Sequence, residues 1–146
     1  MKKIICLILC LCFAFLGCSC SDLPEVMLSY SNYKYSVGDQ FTVKVTFNKF
    51  EGVKTIGIRP VFDSQYLELV DAKILVEGAV VGADGGVGVV LFNDLQTIND
   101  TVVFEFSLVA KNTVSSTEIS CDVSVMGAGD AKIEVEEIPT LIVKIK

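Results

Sequence analysis

The chain has 146 residues, 51% of them hydrophobic, no histidine and a formal net charge of −6. The missing histidine excludes a Ser-His-Asp triad, a Cys-His pair and any histidine-bearing zinc site. The acidic balance excludes nucleic acid as a partner, because phosphate binding needs a basic footprint.

The first element is an export signal. Met1-Lys2-Lys3 supplies a short basic head, Ile4 to Leu16 an unbroken apolar run, and Gly17-Cys18 its end. A permanent membrane helix needs about 20 apolar residues, so this run is too short to span and reads as a secretory signal. Gly17-Cys18 resembles a bacterial lipobox, in which the cysteine is acylated and becomes the new N-terminus. Phe15 and Leu16 stand where that motif usually has Leu and a small residue. The expected organisation is a signal peptide over 1–17, a lipidated tether over 18–25 with Cys18 acylated, and one domain over 26–146. The protein is then exported and lipid-anchored to the cell membrane or cell surface, or freely secreted if Cys18 is unmodified. Cys6, Cys10 and Cys12 leave with the signal, and no disulfide framework is needed for a domain of this size.

After the polar lead Ser19–Pro24 the chain reads as strand after strand. Phe41, Val43, Val45 and Phe47 alternate with Thr42, Lys44 and Thr46, the pattern of a half-buried strand with one wet face. Further strands are predicted near 26–31, 54–62, 66–70, 73–80, 86–92, 102–110, 117–126, 131–137 and 140–145. Turn residues punctuate them: Gly38-Asp39, Glu51-Gly52, Asp84-Gly85-Gly86, Ile98-Asn99-Asp100 and Gly127-Ala128-Gly129-Asp130. Cys121 falls in the alternation Ile119-Cys121-Val123-Val125 and reads as a small core side chain, with Ser120, Asp122 and Ser124 opposite. Many short strands rich in Val, Ile, Phe and Thr, at nearly regular spacing, give an all-β antiparallel sandwich or jelly roll.

Val87–Phe92 breaks the alternation. Val87, Val89 and Leu91 share one face, Val90 and Phe92 the other, and both are apolar. A strand covered on both sides has this pattern, and so does a central strand whose outer face receives a partner. Gly86 and Gly88 also let another backbone come close.

Four segments in chain order resemble the cohesin domains of cellulosome scaffoldins. Val37-Gly38-Asp39-Gln40-Phe41-Thr42-Val43 resembles the opening strand of that family. Gly52 to Leu69, with Phe62-Asp63 and Tyr66-Leu67-Glu68-Leu69, is similar to its second conserved segment. Val87–Asp94 looks like its apolar strand closed by an acid, and Asp100–Lys111 like its late strand. The resemblance covers about 26–146. It implies a jelly roll of about nine strands that performs no chemistry and holds a dockerin module through one sheet face, in polysaccharide degradation. The strand aligned with Thr55–Phe62 then reads the partner. Thr55 and Gly57 stand where typical cohesins carry Asn and Asp, so a different protein partner is equally consistent. The implied binding residues are Thr55, Gly57, Arg59, Val87, Val89 and Leu91.

Two other functions are open on the residues. A carbohydrate-binding module of the same fold would use exposed aromatic rings, for which Tyr30, Tyr33 and Tyr35 are candidates, though such tyrosines also pack edge strands. A structural envelope lipoprotein would bind neither dockerin nor polysaccharide. Carboxylates remain for catalysis, among them Asp63, Asp71, Glu105, Asp122 and Asp130, but a glycosidase needs two facing one cleft at a set separation. Glu134, Glu136 and Glu137 read as the solvated side of a strand, and Asp63 as a turn stabiliser. No enzymatic activity, cofactor or metal is expected.

Overall fold

The computed structural model describes residues 23–80 and 87–146. The export signal, Cys18 and the Asp84-Gly85-Gly86 turn lie outside the described residues. Ten strands form among the described residues: β1 (Glu25–Tyr30), β2 (Lys34–Tyr35), β3 (Gln40–Asn48), β4 (Phe50–Phe62), β5 (Leu67–Ile74), β6 (Ala79–Val80), β7 (Gly88–Ile98), β8 (Thr101–Ala110), β9 (Val114–Met126) and β10 (Leu141–Ile145). They make two sheets, one ordered β1-β3-β8-β5 and one ordered β2-β10-β9-β4-β7-β6. The ladders are antiparallel except for β2 beside β10 at an edge. The all-β sandwich expected from the sequence is the observed architecture.

Alternation explains why these segments are strands. Successive side chains point to opposite faces, and β3 buries Phe41, Val43, Val45 and Phe47 while Lys44 stays exposed. Phe47, Phe50, Phe104, Phe106, Ile56 and Leu108 fill the space between the sheets, all nearly inaccessible to solvent. Each such side chain stabilises the fold by about 1.5–3 kcal/mol through removal from water. Phe47 and Phe50 pack as tilted rings with centroids 4.9 Å apart. The chain passes from one sheet to the other between them, at Lys49 (φ 62).

Three expectations about elements are corrected. First, Glu51-Gly52 is not the turn between strands. Lys49 makes that turn, and Gly52 (φ 67) lies inside β4 where the register with β7 shifts. The glycine permits a bulge rather than an end. Second, the predicted strands 66–70 and 73–80 divide elsewhere. β5 runs on through a register shift between Leu69 and Asp71, and the break comes after Ile74, where the chain leaves one sheet and joins the other as β6. Third, 131–137 is not a strand. Gly127–Asp130 turns through a short 3-10 segment with Gly129 and Asp130 both at positive φ. Between it and β10, apart from the bridge between Met126 and Lys132, the chain makes no ladder. β10 pairs with β9 only over residues 114–119, so the edge beside residues 120–126 is open, but the chain uses it for that one bridge and one further bond and then turns towards Pro24. Ile133 and Val135 therefore pack on the core from a coil held by Ile133 N–H to the Val125 carbonyl (2.9 Å) and Glu136 N–H to the Pro24 carbonyl (3.0 Å).

Candidate partner-binding face

β4 lies at the centre of the six-stranded sheet, between β7 and β9. It turns Ile56 and Ile58 into the core and leaves Thr55, Gly57 and Arg59 on the other side. Register decides what stands beside them. Thr55 pairs with Leu91 on β7 and Met126 on β9, Gly57 with Val89 and Ser124, and Arg59 with Asp122. Directly paired residues share a face with their Cβ atoms about 5 Å apart. The six residues expected to bind a partner are therefore brought together. Val87 and Leu91 are exposed and Val89 is half-buried, while Val90 and Phe92 are buried. Among the described residues, β7 thus presents an open outer face and is not covered on both sides.

Met126 continues the apolar surface onto β9, 38% exposed. Arg59 and Asp122 border it as an ion pair, with Arg59 Nε donating to Asp122 Oδ2 at 3.1 Å. Both side chains are well exposed, so this pair adds little stability. At Gly57 the Ser124 hydroxyl packs over the backbone, and an added Cβ would lie 2.8 Å from its Oγ. A shallow surface concavity of about 330 Å³ lies here, bounded by Gly57, Val87, Val89, Ser124 and the Arg59–Asp122 pair. Asp122, Ser124 and Met126 were missing from the residues expected in the site. Their outward placement is legible in the alternation of β9, but that β9 lies against β4 is a long-range pairing that no local pattern reports.

The opposite sheet has a different outer surface. Thr42 and Ser107 hydroxyls lie 3.0 Å apart, Lys44 and Glu105 are paired across β3 and β8, and Lys73 sits 2.9 Å from Asp71. The Lys73 ammonium holds the Asp71 carboxyl below its ordinary range, and Asp71 in turn raises Lys73.

The tyrosines do not form a common platform. Tyr35 is buried and stacked on Phe41 with centroids 4.0 Å apart, so it belongs to the core. Tyr30 donates its hydroxyl to the Ile142 carbonyl at 3.0 Å and fastens β1 to β10 across the sheets. Tyr33 is half exposed, with Lys34 Nζ 5.0 Å from its ring centre. The carboxylates have structural partners too: Asp63 accepts from Gln65 N–H at 2.8 Å in its turn, and Glu134 pairs with Lys132 at 3.2 Å. Glu134, Glu136 and Glu137 lie on the coil described above, not on a strand. Cys121 is buried, and burial with the neighbouring Asp122 charge pushes its thiol up to about 12. Among the described residues, no group of three or more acidic or cysteine side chains is placed to hold a metal ion. No described helix is long and apolar enough to cross a membrane.

No family model and no curated protein matches the sequence. The fold, by contrast, is shared with solved cohesin modules. A cohesin module from a family 33 glycoside hydrolase of Clostridium perfringens superposes with a TM-score of 0.67 at 12% identity, over 85% of this chain and 97% of that one. The third ScaB cohesin of R. flavefaciens, solved in complex with a group 1 dockerin, gives 0.66 at 13% identity, over 89% and 99%. A non-cellulosomal cohesin from the archaeon Archaeoglobus fulgidus gives 0.64 at 14% identity, over 85% and 91%. The resemblance drawn from four sequence segments is met at the level of the fold: this chain carries a cohesin-like β-sandwich.

Proposed function

We propose that the chain is a surface-tethered binding module that holds a protein partner on the outer face of its six-stranded sheet. The observation that carries this reading is the contiguous apolar surface of Val87, Val89, Leu91 and Met126 around Thr55 and Gly57, on an otherwise acidic domain. Apolar side chains grouped on a sheet surface mark interaction sites. A stable complex buries about 1,200–2,000 Å² in total, more than the β7 residues alone provide, so Thr55, Arg59 and the outward side of β9 join the interface. Several similar cohesin structures hold dockerins, which supports a dockerin-type module as the partner; a setting in polysaccharide breakdown rests on the sequence resemblance alone. The affinity-bearing residues of such an interface lie at its centre, among well-packed apolar side chains. That centre is Val89 and Leu91.

The test is capture from the surface and secreted proteins of the host, identification of the captured protein, and titration of that purified partner. Val89→Asp with Leu91→Asp is expected to weaken binding by about 100-fold or more, while Val70→Asp on β5 of the other sheet leaves it unchanged. Equal binding by both variants would place the partner elsewhere. Capture of polysaccharide rather than protein, lost in Tyr33→Ala, would transfer the function to carbohydrate binding.

The same proposal includes export and a lipid on Cys18. It rests on the basic head and apolar run at residues 1–16 and on Gly17-Cys18. An acyl chain contributes about 0.8 kcal/mol per buried methylene, and stable anchoring takes more than one chain. Mass spectrometry of the mature N-terminus is expected to find an acylated Cys18; an unmodified cysteine, or cleavage at another bond, makes the module freely secreted.

A further inference from the structure

At its β2–β10 edge the six-stranded sheet turns lysines outward, on a chain whose net charge is −6. Lys34 on β2 and Lys144 on β10 are register partners in the parallel ladder. Their strand neighbours Tyr35, Val143 and Ile145 are buried, so both lysines face away from the core and are exposed. Lys146 continues the alternation, exposed, with its N–H on the Tyr35 carbonyl at 2.9 Å. Paired residues on one face have Cβ atoms about 5 Å apart, and like charges set there destabilise a sheet. Lys49, Arg59, Lys73 and Lys132 each have a carboxylate partner, whereas Lys34, Lys144 and Lys146 make no ion pair with a described carboxylate. Glu118 on β9, opposite Ile142, is exposed as well but forms no ion pair with them.

Lysine on an edge strand discourages pairing with another chain. That accounts for Lys34 on β2 but not for Lys144, because β10 lies between β2 and β9. Tyr33 stands beside the pair, 50% exposed, with Lys34 Nζ 5.0 Å from its ring centre. The segment that carries ring and ammonium is held firmly. Asn32 Oδ1 accepts from the N–H groups of Tyr33 (2.8 Å) and Lys34 (3.3 Å), and Asn32 N–H donates to the Tyr35 hydroxyl at 3.2 Å. Lys144 N–H donates to the Tyr33 carbonyl at 2.8 Å and ties the segment to β10. Groups fixed before binding lose little entropy when a ligand arrives.

An anion set between Lys34 and Lys144 removes their repulsion and gains charge-assisted hydrogen bonds. A small anion or an acidic peptide uses the ammonium groups and leaves the ring idle. An acidic sugar uses both, laying its C–H face on the aromatic ring and its carboxylate against the lysines. We propose that Tyr33, Lys34 and Lys144, with Lys146 beside them, bind a polysaccharide that carries carboxylates on its sugars. The site is three strands from β7, about 14 Å away, and does not rest on the reading of the apolar face as a protein-binding surface. β1 runs from Glu25 to Tyr30, so the site stands at the opposite end of the sandwich from the point where the proposed tether joins.

The experiment is affinity electrophoresis and calorimetry of the purified protein with polygalacturonate, against its methyl-esterified form and polyglutamate. Binding of polygalacturonate is expected, weakening as salt is raised. Lys34→Ala with Lys144→Ala is expected to weaken it about tenfold or more, and Tyr33→Ala about fivefold or more. Lys34→Arg with Lys144→Arg keeps the charge and is expected to keep binding. Lys44→Ala with Lys132→Ala removes the same charge elsewhere and is expected to change nothing; circular dichroism checks every fold. Absence of binding, or an equal loss in the Lys44 and Lys132 variant, overturns the site. Equal binding of the esterified polymer removes the role of the carboxylates and overturns it too. Polyglutamate bound as tightly, or a silent Tyr33→Ala, would make the edge a surface for any polyanion and overturn the sugar assignment. Val89→Asp with Leu91→Asp is expected to leave polygalacturonate binding intact, and its loss there would move the polysaccharide to the apolar face.

Discussion

At Cys121 the inward side of β9 buries a thiol whose ionisation burial opposes, so the folded chain holds that proton up to about pH 12 against an ordinary value of 9.0. Between those values the unfolded chain binds fewer protons than the folded one at this site. The contribution to stability is full below about pH 9 and is lost as pH rises towards 12. Urea unfolding compared at neutral pH and at about pH 10.5 is expected to show a steeper fall for the wild type than for Cys121→Val, and equal falls would contradict the buried placement. Ser124, three residues on in the same strand, illustrates the opposite case. Its alternation announces exposure, yet its relevance comes only from standing opposite Gly57.

Among the elements, β4 best shows how a local irregularity serves the site. Gly52 adopts φ 67 with no atom within 4 Å of an added Cβ, so the cost of a side chain there is purely conformational. Gly52→Ala is expected to lower unfolding free energy by about 1–2 kcal/mol, read as a reduced urea midpoint with unchanged slope; no change would mean that the bulge relaxes freely. Most strands were legible because alternation reports burial directly, as in β3 and β8. The failures have one cause. Ile133-Glu134-Val135-Glu136 alternates as a strand does, but alternation describes two environments and not a ladder; the chain bonds β9 only at Met126 and Val125 and then diverges, with Glu136 N–H on the Pro24 carbonyl. Likewise nothing local told that the chain changes sheets after Ile74, since Leu75 and Val76 continue the apolar run. The outward triplet Val87, Val89 and Leu91 was readable from spacing, whereas the β9 share of the face depended on register between residues about 65 positions apart.

For the whole molecule, the two outer surfaces differ in kind. One sheet turns mostly hydroxyls and paired charges outward, at Thr42, Ser107, Asp71 and Lys73, with Met27 and Val70 as separate exposed apolar side chains; the other gathers Val87, Leu91 and Met126. In the function we propose, the second surface holds the partner and a lipid on Cys18 tethers the module. The most direct test of this account is an amide and methyl NMR footprint of the protein with its captured partner bound. Shifts are predicted at 55–59, 87–91 and 122–126, with Lys44, Lys73 and Glu105 unmoved. A footprint centred on those three residues, with Val89 and Leu91 silent, would contradict it.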